Sequence, residues 1–302
     1  MKKLAVLTPT YNRSGYLKAL FESLCHQTNM DFEWWIVDDG STDGTEEVIQ
    51  GFQAQAVFPI HYTYKENGGK HTALNAAIPR ITSELTIIVD SDDTLTREAV
   101  ETIYSYHSKY ANQPKLCGYV FHRKFSDGHI SGKIFEPDEK IGSYIDVRIN
   151  GDDTHADKAE VFYTKCLQEF PFPEYPGEKF LGEDTVWLPM GRSYDMVYIN
   201  QAIYVFEYQD SGLTRNRRQH NIASPRGCMY RAALYMERDI KLRYRIKGAM
   251  QYLIYGKFAG YRSRMLVSMT EHKHIVRLLF VPAMLLYIVW RHMYTANVSK
   301  EA

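Results

Sequence analysis

The chain has 302 residues, 45% of them hydrophobic, with 36 basic and 36 acidic side chains. That is the composition of an ordinary globular protein, long enough for one large domain or two modest ones. Its four cysteines, Cys25, Cys117, Cys166 and Cys228, show no CxxC spacing, which argues against a disulfide framework and against a zinc ribbon and fits a reducing compartment.

Residues 3–8 read as a strand, and no charged-then-apolar leader precedes them, so export by a signal peptide is not expected. Leu17, Leu20, Phe21 and Leu24 then recur at helical spacing behind Asn12 and Ser14, two plausible N-caps. Strands are predicted at 32–37, 60–64, 85–89 and 116–125, with helices at 44–55, 70–81 and 97–110 between them. Repeated β-α-β units predict a mainly parallel sheet with helices on both faces. Beyond Phe125 the regularity breaks. A helix is predicted over 158–170, followed by a Pro/Gly-rich loop over 171–177, a short helical run over 185–190, and strands at 196–199 and 202–208. From about Ser224 the pattern is wholly helical.

The division predicted is a first domain over 1–210, with a nucleotide-sugar half to about 125 and an acceptor half after it. A helical region follows over 211–302. The zero net charge hides an asymmetry across that boundary: residues 211–302 hold 17 Lys/Arg and 4 Asp/Glu, leaving 19 basic and 32 acidic residues before them. A basic third on an acidic body implies an anionic partner, nucleic acid or a membrane surface. The apolar run over 278–290 is shorter than the roughly 20 residues a spanning helix needs. Pro282 interrupts it, and Arg277, Arg291 and His292 flank it. It reads as an interfacial or packed helix.

Two acidic clusters carry the chemistry. Asp38-Asp39-Gly40-Ser41-Thr42-Asp43 follows one predicted strand and Asp90-Ser91-Asp92-Asp93 another. At about 4 Å and an effective dielectric near 20, a like-charge pair costs roughly 4 kcal/mol. A divalent cation or a set of hydrogen-bond donors offsets such repulsion. The C-terminal ends of strands are also where open α/β sheets bind ligands. The pair points to a nucleotide site beside a metal site.

Four motifs appear in order: Thr8-Pro9-Thr10-Tyr11-Asn12-Arg13; Val37 to Asp43; Asn67-Gly68-Gly69-Lys70 with Ala73-Leu74-Asn75; and Asp90-Ser91-Asp92-Asp93. Together they resemble family 2 inverting glycosyltransferases of the GT-A fold, strongly over about 3–125, with Gly182-Glu183-Asp184 extending the match. The fold this resemblance implies is α/β, a Rossmann-like and mainly parallel sheet flanked by helices, with a C-terminal all-helical extension. It implies that Thr8, Thr10 and Asp39 grip the base and ribose of a nucleotide, a carboxylate being able to accept from uracil N3–H or a ribose hydroxyl. Gly68 and Gly69 allow close backbone approach. Lys70 then lies near the pyrophosphate and Asn75 near the sugar-nucleotide. Asp90 and Ser91 belong to the same nucleotide site, and Asp92 and Asp90 hold Mn²⁺ or Mg²⁺, whose hard character suits carboxylate oxygens.

A carboxylate at Glu183 or Asp184, with Asp184 preferred, is the general base that the resemblance implies for an inverting displacement. His220 is either a third metal ligand or a solvated residue of a basic stretch. Asp157-Lys158-Ala159-Glu160-Val161 loosely resembles a run in capsule- and O-antigen-type members; Lys158 is either an acceptor contact or a helix start with an exposed charge pair. Trp187 is by default a core residue and otherwise a sugar-stacking one.

The reading that results is a metal-dependent inverting glycosyltransferase. It uses a nucleotide-sugar donor, UDP-linked by expectation, and a saccharide acceptor, lipid-linked by expectation, in cell-surface polysaccharide synthesis. The chain is placed in the cytoplasm, peripheral on the inner face of the membrane, with Arg243, Arg245, Lys247, Tyr252 and Tyr255 among its membrane-facing residues. Rival readings are a nucleotidyltransferase, which would carry a Gly-rich loop after its first strand, and a non-catalytic binding protein, which would not need Asp184. No nucleic-acid-binding module is recognisable, so nucleic acid is not expected as the partner. The oligomeric state stays open.

Overall fold

The computed structural model describes residues 3–154, 156–207 and 217–295. They form two compact units: the described residues of 3–172 with 189–207, and those of 173–188 with 217–295. The 173–188 segment, expected in the acceptor half of the first domain, thus belongs with the C-terminal helices.

The first unit is built on one sheet of nine strands among the described residues, ordered β3-β2-β1-β4-β8-β6-β9-β5, with β7 also on β9. β1 (Leu4–Thr10), β2 (Phe32–Asp38), β3 (Ile60–Tyr64) and β4 (Leu85–Ile88) are mutually parallel. Helices α1 (Ser14–Cys25), α2 (Thr45–Gln53) and α3 (Lys70–Ala77) link them. α3 continues as a 3₁₀ turn over Ile78–Arg80. β1 is buried along its whole length and β2 is buried in all but one position, which is why both read as near-continuous apolar runs rather than alternating ones. The core beneath is aromatic: Phe21 stacks on Phe52 at 4.2 Å, and Trp34 lies 6.1 Å from Phe52.

β5 (Thr94–Leu95) and α4 (Ala99–Tyr110) lead into β6 (Leu116–Phe125). A plain β-α-β continuation would lay β6 beside β4. Instead β8 (Lys158–Tyr163) enters between them, antiparallel to both. The helix expected over 158–170 is therefore wrong in its first half; only Thr164–Glu169, α5, is helical. Ala159, Val161 and Phe162 fill a slot buried on both faces of the sheet, and tertiary burial overrides a local pattern that fits either state. The two strands expected over 196–208 are one, β9 (Asp195–Phe206), parallel to β6 with register shifts. Its length lets two short strands share it: β7 (Lys140–Gly142) pairs with its first half and β5 with its second.

Lys158 is neither exposed nor at a helix start. It is fully buried; its ammonium lies 3.4 Å from Asp153 and donates to the Ser131 carbonyl at 3.0 Å. Arg148 joins the same Asp153 at 3.3 Å. A buried charge must be paired and hydrogen-bonded, and this cluster ties the 126–135 hairpin to the loop before β8.

In the second unit, α7 (Arg217–Ala223), α8 (Pro225–Leu234), α9 (Leu242–Phe258), α10 (Ser263–Ser268), α11 (Lys273–Leu278) and α12 (Phe280–Thr295) surround a core of Met229, Met236, Leu253, Tyr255, Val276 and Trp290. No described helix is long and apolar enough to cross a membrane. Tyr252 and Tyr255 do not face outward as expected. Both are buried, and the Tyr252 hydroxyl donates to the Leu266 carbonyl at 3.1 Å. Arg243 and Lys247 are exposed, while Arg245 is half-buried and donates to the Met236 carbonyl at 3.1 Å.

Candidate active site

The register of the parallel strands gathers the acidic clusters at one edge. Thr10 lies opposite Asp38, and Leu7 opposite Ile88, so Asp38-Asp39 and Asp90 to Asp93 emerge from the ends of the two strands that flank β1. Backbone bonds stitch the edge: Asp39 N–H donates to Thr10 at 2.8 Å and Lys65 N–H to Asp38 at 2.9 Å.

Each acid there has a different job. The Asp38 carboxylate accepts from Ser41 N–H at 2.8 Å and from the Tyr62 hydroxyl at 3.1 Å. Asp43 accepts from Ser14 N–H at 3.0 Å, at the start of α1. Asp39, 3% exposed, accepts from Lys65 Nζ at 2.7 Å, Gly68 N–H at 2.9 Å, Gly69 N–H at 2.6 Å and Asn67 Nδ2 at 3.2 Å. A carboxylate offers about four lone-pair sites, so in this structure Asp39 moulds the 65–69 loop rather than presenting itself to a ligand. Gly40 sits at φ +90°, and a Cβ there would lie 2.9 Å from Asn67 N. Only glycine lets that loop close.

Thr8 corrects the expectation of a nucleotide contact. Its hydroxyl is wholly buried and accepts from Trp34 Nε1 at 3.0 Å, on the core side of the strand. Thr10, also buried, keeps a hydroxyl with no hydrogen-bond partner among the described residues. Such an orphan is costly and marks a place where a ligand can bond. Asn75 is a fastener: its amide donates to the Phe172 carbonyl at 2.8 Å and accepts from Phe172 N–H at 3.0 Å.

The second cluster is hemmed by cations. Lys70 binds Asp90, and Arg13 binds Asp92. Arg123, from β6, lies 3.7 Å from both Asp90 and Asp93, its guanidinium 4.1 Å over the Tyr204 ring. The Tyr204 hydroxyl donates to Asp93 at 2.8 Å and accepts from Asp90 N–H at 3.0 Å. Burial by itself would raise the Asp90 carboxyl, but Lys70, Arg123 and Arg13 outweigh it and hold the group below its ordinary range. Asp93 goes the other way. Burial and the adjoining Asp90 charge push it up to about 7. Ser91 is buried in the turn between them.

Asp90 and Asp92 are hard oxygen donors in a site dense with positive charge, a donor set that fits Mg²⁺ or Mn²⁺. Among the described residues no group of three or more His, Cys, Asp or Glu is placed to hold an ion. His220, on α7, stacks on Phe180 with ring centroids 6.0 Å apart; Arg215 and Asn216 beside it in sequence lie outside the described residues.

In the second unit Asp184 opens α6 (Asp184–Ser193). Its carboxylate accepts from Arg231 Nε at 2.6 Å and from the Tyr235 hydroxyl at 2.7 Å, both on or just beyond α8. Burial would raise its carboxyl, yet Arg231, Tyr235 and the field of Arg217 together keep it below the usual carboxylate range. Upstream, Glu178 accepts from Arg226 N–H at 2.8 Å and Gly227 N–H at 2.9 Å, and Phe180 N–H donates to Ser224 Oγ at 3.1 Å. The segment carrying Asp184 is thus pinned three times to α8 and the turn before it. Glu183 is half-buried, its carbonyl accepting from Val186 N–H at 2.9 Å and Trp187 N–H at 3.1 Å. Trp187 is buried, as a core residue would be.

Sequence reasoning singled out Asp90, Asp92, Lys70 and Asp184 but missed Lys65, Arg123, Tyr204, Arg231 and Tyr235. Arg13 stood in a quoted motif without a role. No local signal marks the others, because their partners lie 26 to 111 positions away.

Residues 5–133 match the model of glycosyl transferase family 2. Among curated proteins, the chain is 26% identical over 70% of its length to glycosyltransferase GlyA of Streptococcus pneumoniae serotype 4, spanning about a third (32%) of that protein. It is 28% identical to GlyG of the same organism, over 70% of this chain and 73% of that one. A Campylobacter jejuni relative, GalNAc(5)-diNAcBac-PP-undecaprenol beta-1,3-glucosyltransferase, is 28% identical, over 70% of this chain and 67% of that protein. In fold, the chain resembles Staphylococcus aureus TarS 1-349 in complex with UDP-GlcNAc, with a TM-score of 0.58 and 15% identity over 96% of this chain and 92% of that one. It also resembles mannosyltransferase PcManGT of Pyrobaculum calidifontis in complex with GDP-Man and Mn²⁺, with a TM-score of 0.57 and 17% identity over 97% and 84%.

Proposed function

We propose that this chain, whose residues 5–133 match the glycosyl transferase family 2 model, transfers a sugar with inversion from a UDP-sugar to a lipid-linked saccharide in cell-surface polysaccharide synthesis. The observation that carries the donor side is the Asp90/Asp92 pair set among Arg13, Lys70 and Arg123 at the sheet's C-terminal edge. Asp90 and Asp92 would hold Mg²⁺ or Mn²⁺, which supplies Lewis-acid relief of the charge on the departing diphosphate. Arg13 and Lys70 put two positive charges at the same edge, suited to a diphosphate. The orphan Thr10 hydroxyl is suited to the nucleoside, and Asp39 shapes the glycine loop beside it.

On the acceptor side, a hydroxyl oxygen attacks the anomeric carbon while its proton passes to a carboxylate. The carbon–oxygen bond to the nucleotide breaks, and its electron pair leaves with the phosphate. Asp184 is our choice for the proton acceptor. Arg231 and Tyr235 keep it ionised and fixed in orientation, as a base must be before the reaction begins. Glu183 is the alternative on the same turn.

Support for a UDP-sugar comes from the fold likeness to TarS bound to UDP-GlcNAc, and for a lipid-linked acceptor from the C. jejuni relative, whose name specifies an undecaprenol-linked saccharide. The basic C-terminal third suits the cytoplasmic face of a membrane. The test is calorimetry with a panel of UDP-sugars, with and without Mn²⁺. A UDP-sugar should bind in a Mn²⁺-dependent way, and Asp92→Ala should remove that dependence. No heat with any sugar nucleotide would end the reading.

A further inference from the structure

We infer that the outward side of α11 and α12 is a docking surface for an anionic phospholipid bilayer, with α12 lying along the membrane plane. α12 is apolar on two opposite sides. One side is spent on the core: Ala283 is fully buried, Trp290 sits 6.1 Å from Tyr255, and Tyr287 lies 5.0 Å from Phe258 on α9. The opposite side faces outward and should be polar in a helix that meets only water. It is instead a row of Val281, Leu285 and Ile288, at 67%, 62% and 61% exposure, with Leu278, 78% exposed, at the end of α11 before it. Spacings of four and three keep the three α12 residues on one line of the helix surface. At about 1.5 Å per residue the α12 row is roughly 10 Å long.

Charge selects the occupant. Lys273, His274 and Arg277 are exposed at the start of the row, and Arg291 and His292 at its end. No acidic residue occurs from 272 to 295. Apolar residues between cationic ends match an interface in which acyl chains lie beneath anionic head groups. A second copy of the chain fits badly. Pairing the rows of two copies would bring together two segments that hold basic residues and, from 272 to 295, no acidic one.

The inference deepens only the membrane part of the proposed function and rests on it there. The test is therefore free of transfer chemistry. The full chain is sedimented with phosphatidylcholine vesicles and with vesicles carrying about 30 mol% phosphatidylglycerol, enough to give the surface a negative potential. The wild type should bind the anionic vesicles. Leu285→Asp with Ile288→Asp should weaken that binding about tenfold or more, and Lys273→Glu with Arg277→Glu should remove the preference for anionic lipid. Both variants should retain the wild-type melting temperature and UDP-sugar binding, so loss of vesicle binding with intact donor binding separates this surface from the donor site. Equal partition of the wild type between vesicles and buffer would overturn the proposal. So would undiminished binding by the aspartate pair, or conversion of a dimer to a monomer by that pair in vesicle-free buffer.

Discussion

Four donors on two oxygens leave Asp39 no capacity to spare. Asp39→Asn turns an NH₂ toward some of those donors and should cost about 2–4 kcal/mol, since buried donors then go unpaired; urea denaturation checks it. Asp184 carries the catalytic expectation. Asp184→Asn should leave donor affinity unchanged and lower turnover by about 10²-fold or more. Arg231→Gln should move the acid limb of the rate profile upward, because the group that holds the carboxyl down is gone. The sign for stability follows from the same depression. Asp184 contributes stability that is present above its unfolded value of about 3.9 and lost as the pH falls through its lower folded value. Asp184→Asn should therefore be less stable than wild type at pH 7, with the gap closing below about pH 4, as read by denaturation at several pH values.

Among the elements, β8 decides most. It separates β4 from β6 and brings Lys158 inside, where Asp153 and the Ser131 carbonyl meet its charge. Lys158→Met should cost about 3 kcal/mol, since removing one member strands the rest of a buried ionic cluster, and thermal unfolding measures it. β6 and β9 supply Arg123 and Tyr204 to the Asp90 to Asp93 turn. α8 has a second task besides packing: its N-terminus takes Glu178, and its far end brings Arg231 to Asp184. Deleting the C-terminal helices would thus disturb the Asp184 segment as well as any membrane contact, and point changes on α12 are the cleaner probe.

At the scale of the whole molecule, charge is divided between an acidic body and a basic C-terminal third. Vesicle binding should accordingly fall as ionic strength rises toward about 1 M, where the screening length is about 3 Å, yet not vanish, because the apolar row on α12 is not screened. The sequence by itself determined the β-α-β half, the four motifs at its strand ends, the helical character of the last third and the absence of a long apolar span. Those are local properties: periodicity, glycine and acid placement, and composition along consecutive residues. Only the tertiary structure decided that Thr8 faces the core, that Asn75 fastens Phe172, that Asp39 closes a loop, that residues 158–163 form a strand and that Tyr252 and Tyr255 are buried. Each of these depends on which distant residue arrives opposite, and a partner dozens of positions away leaves no trace in the local pattern.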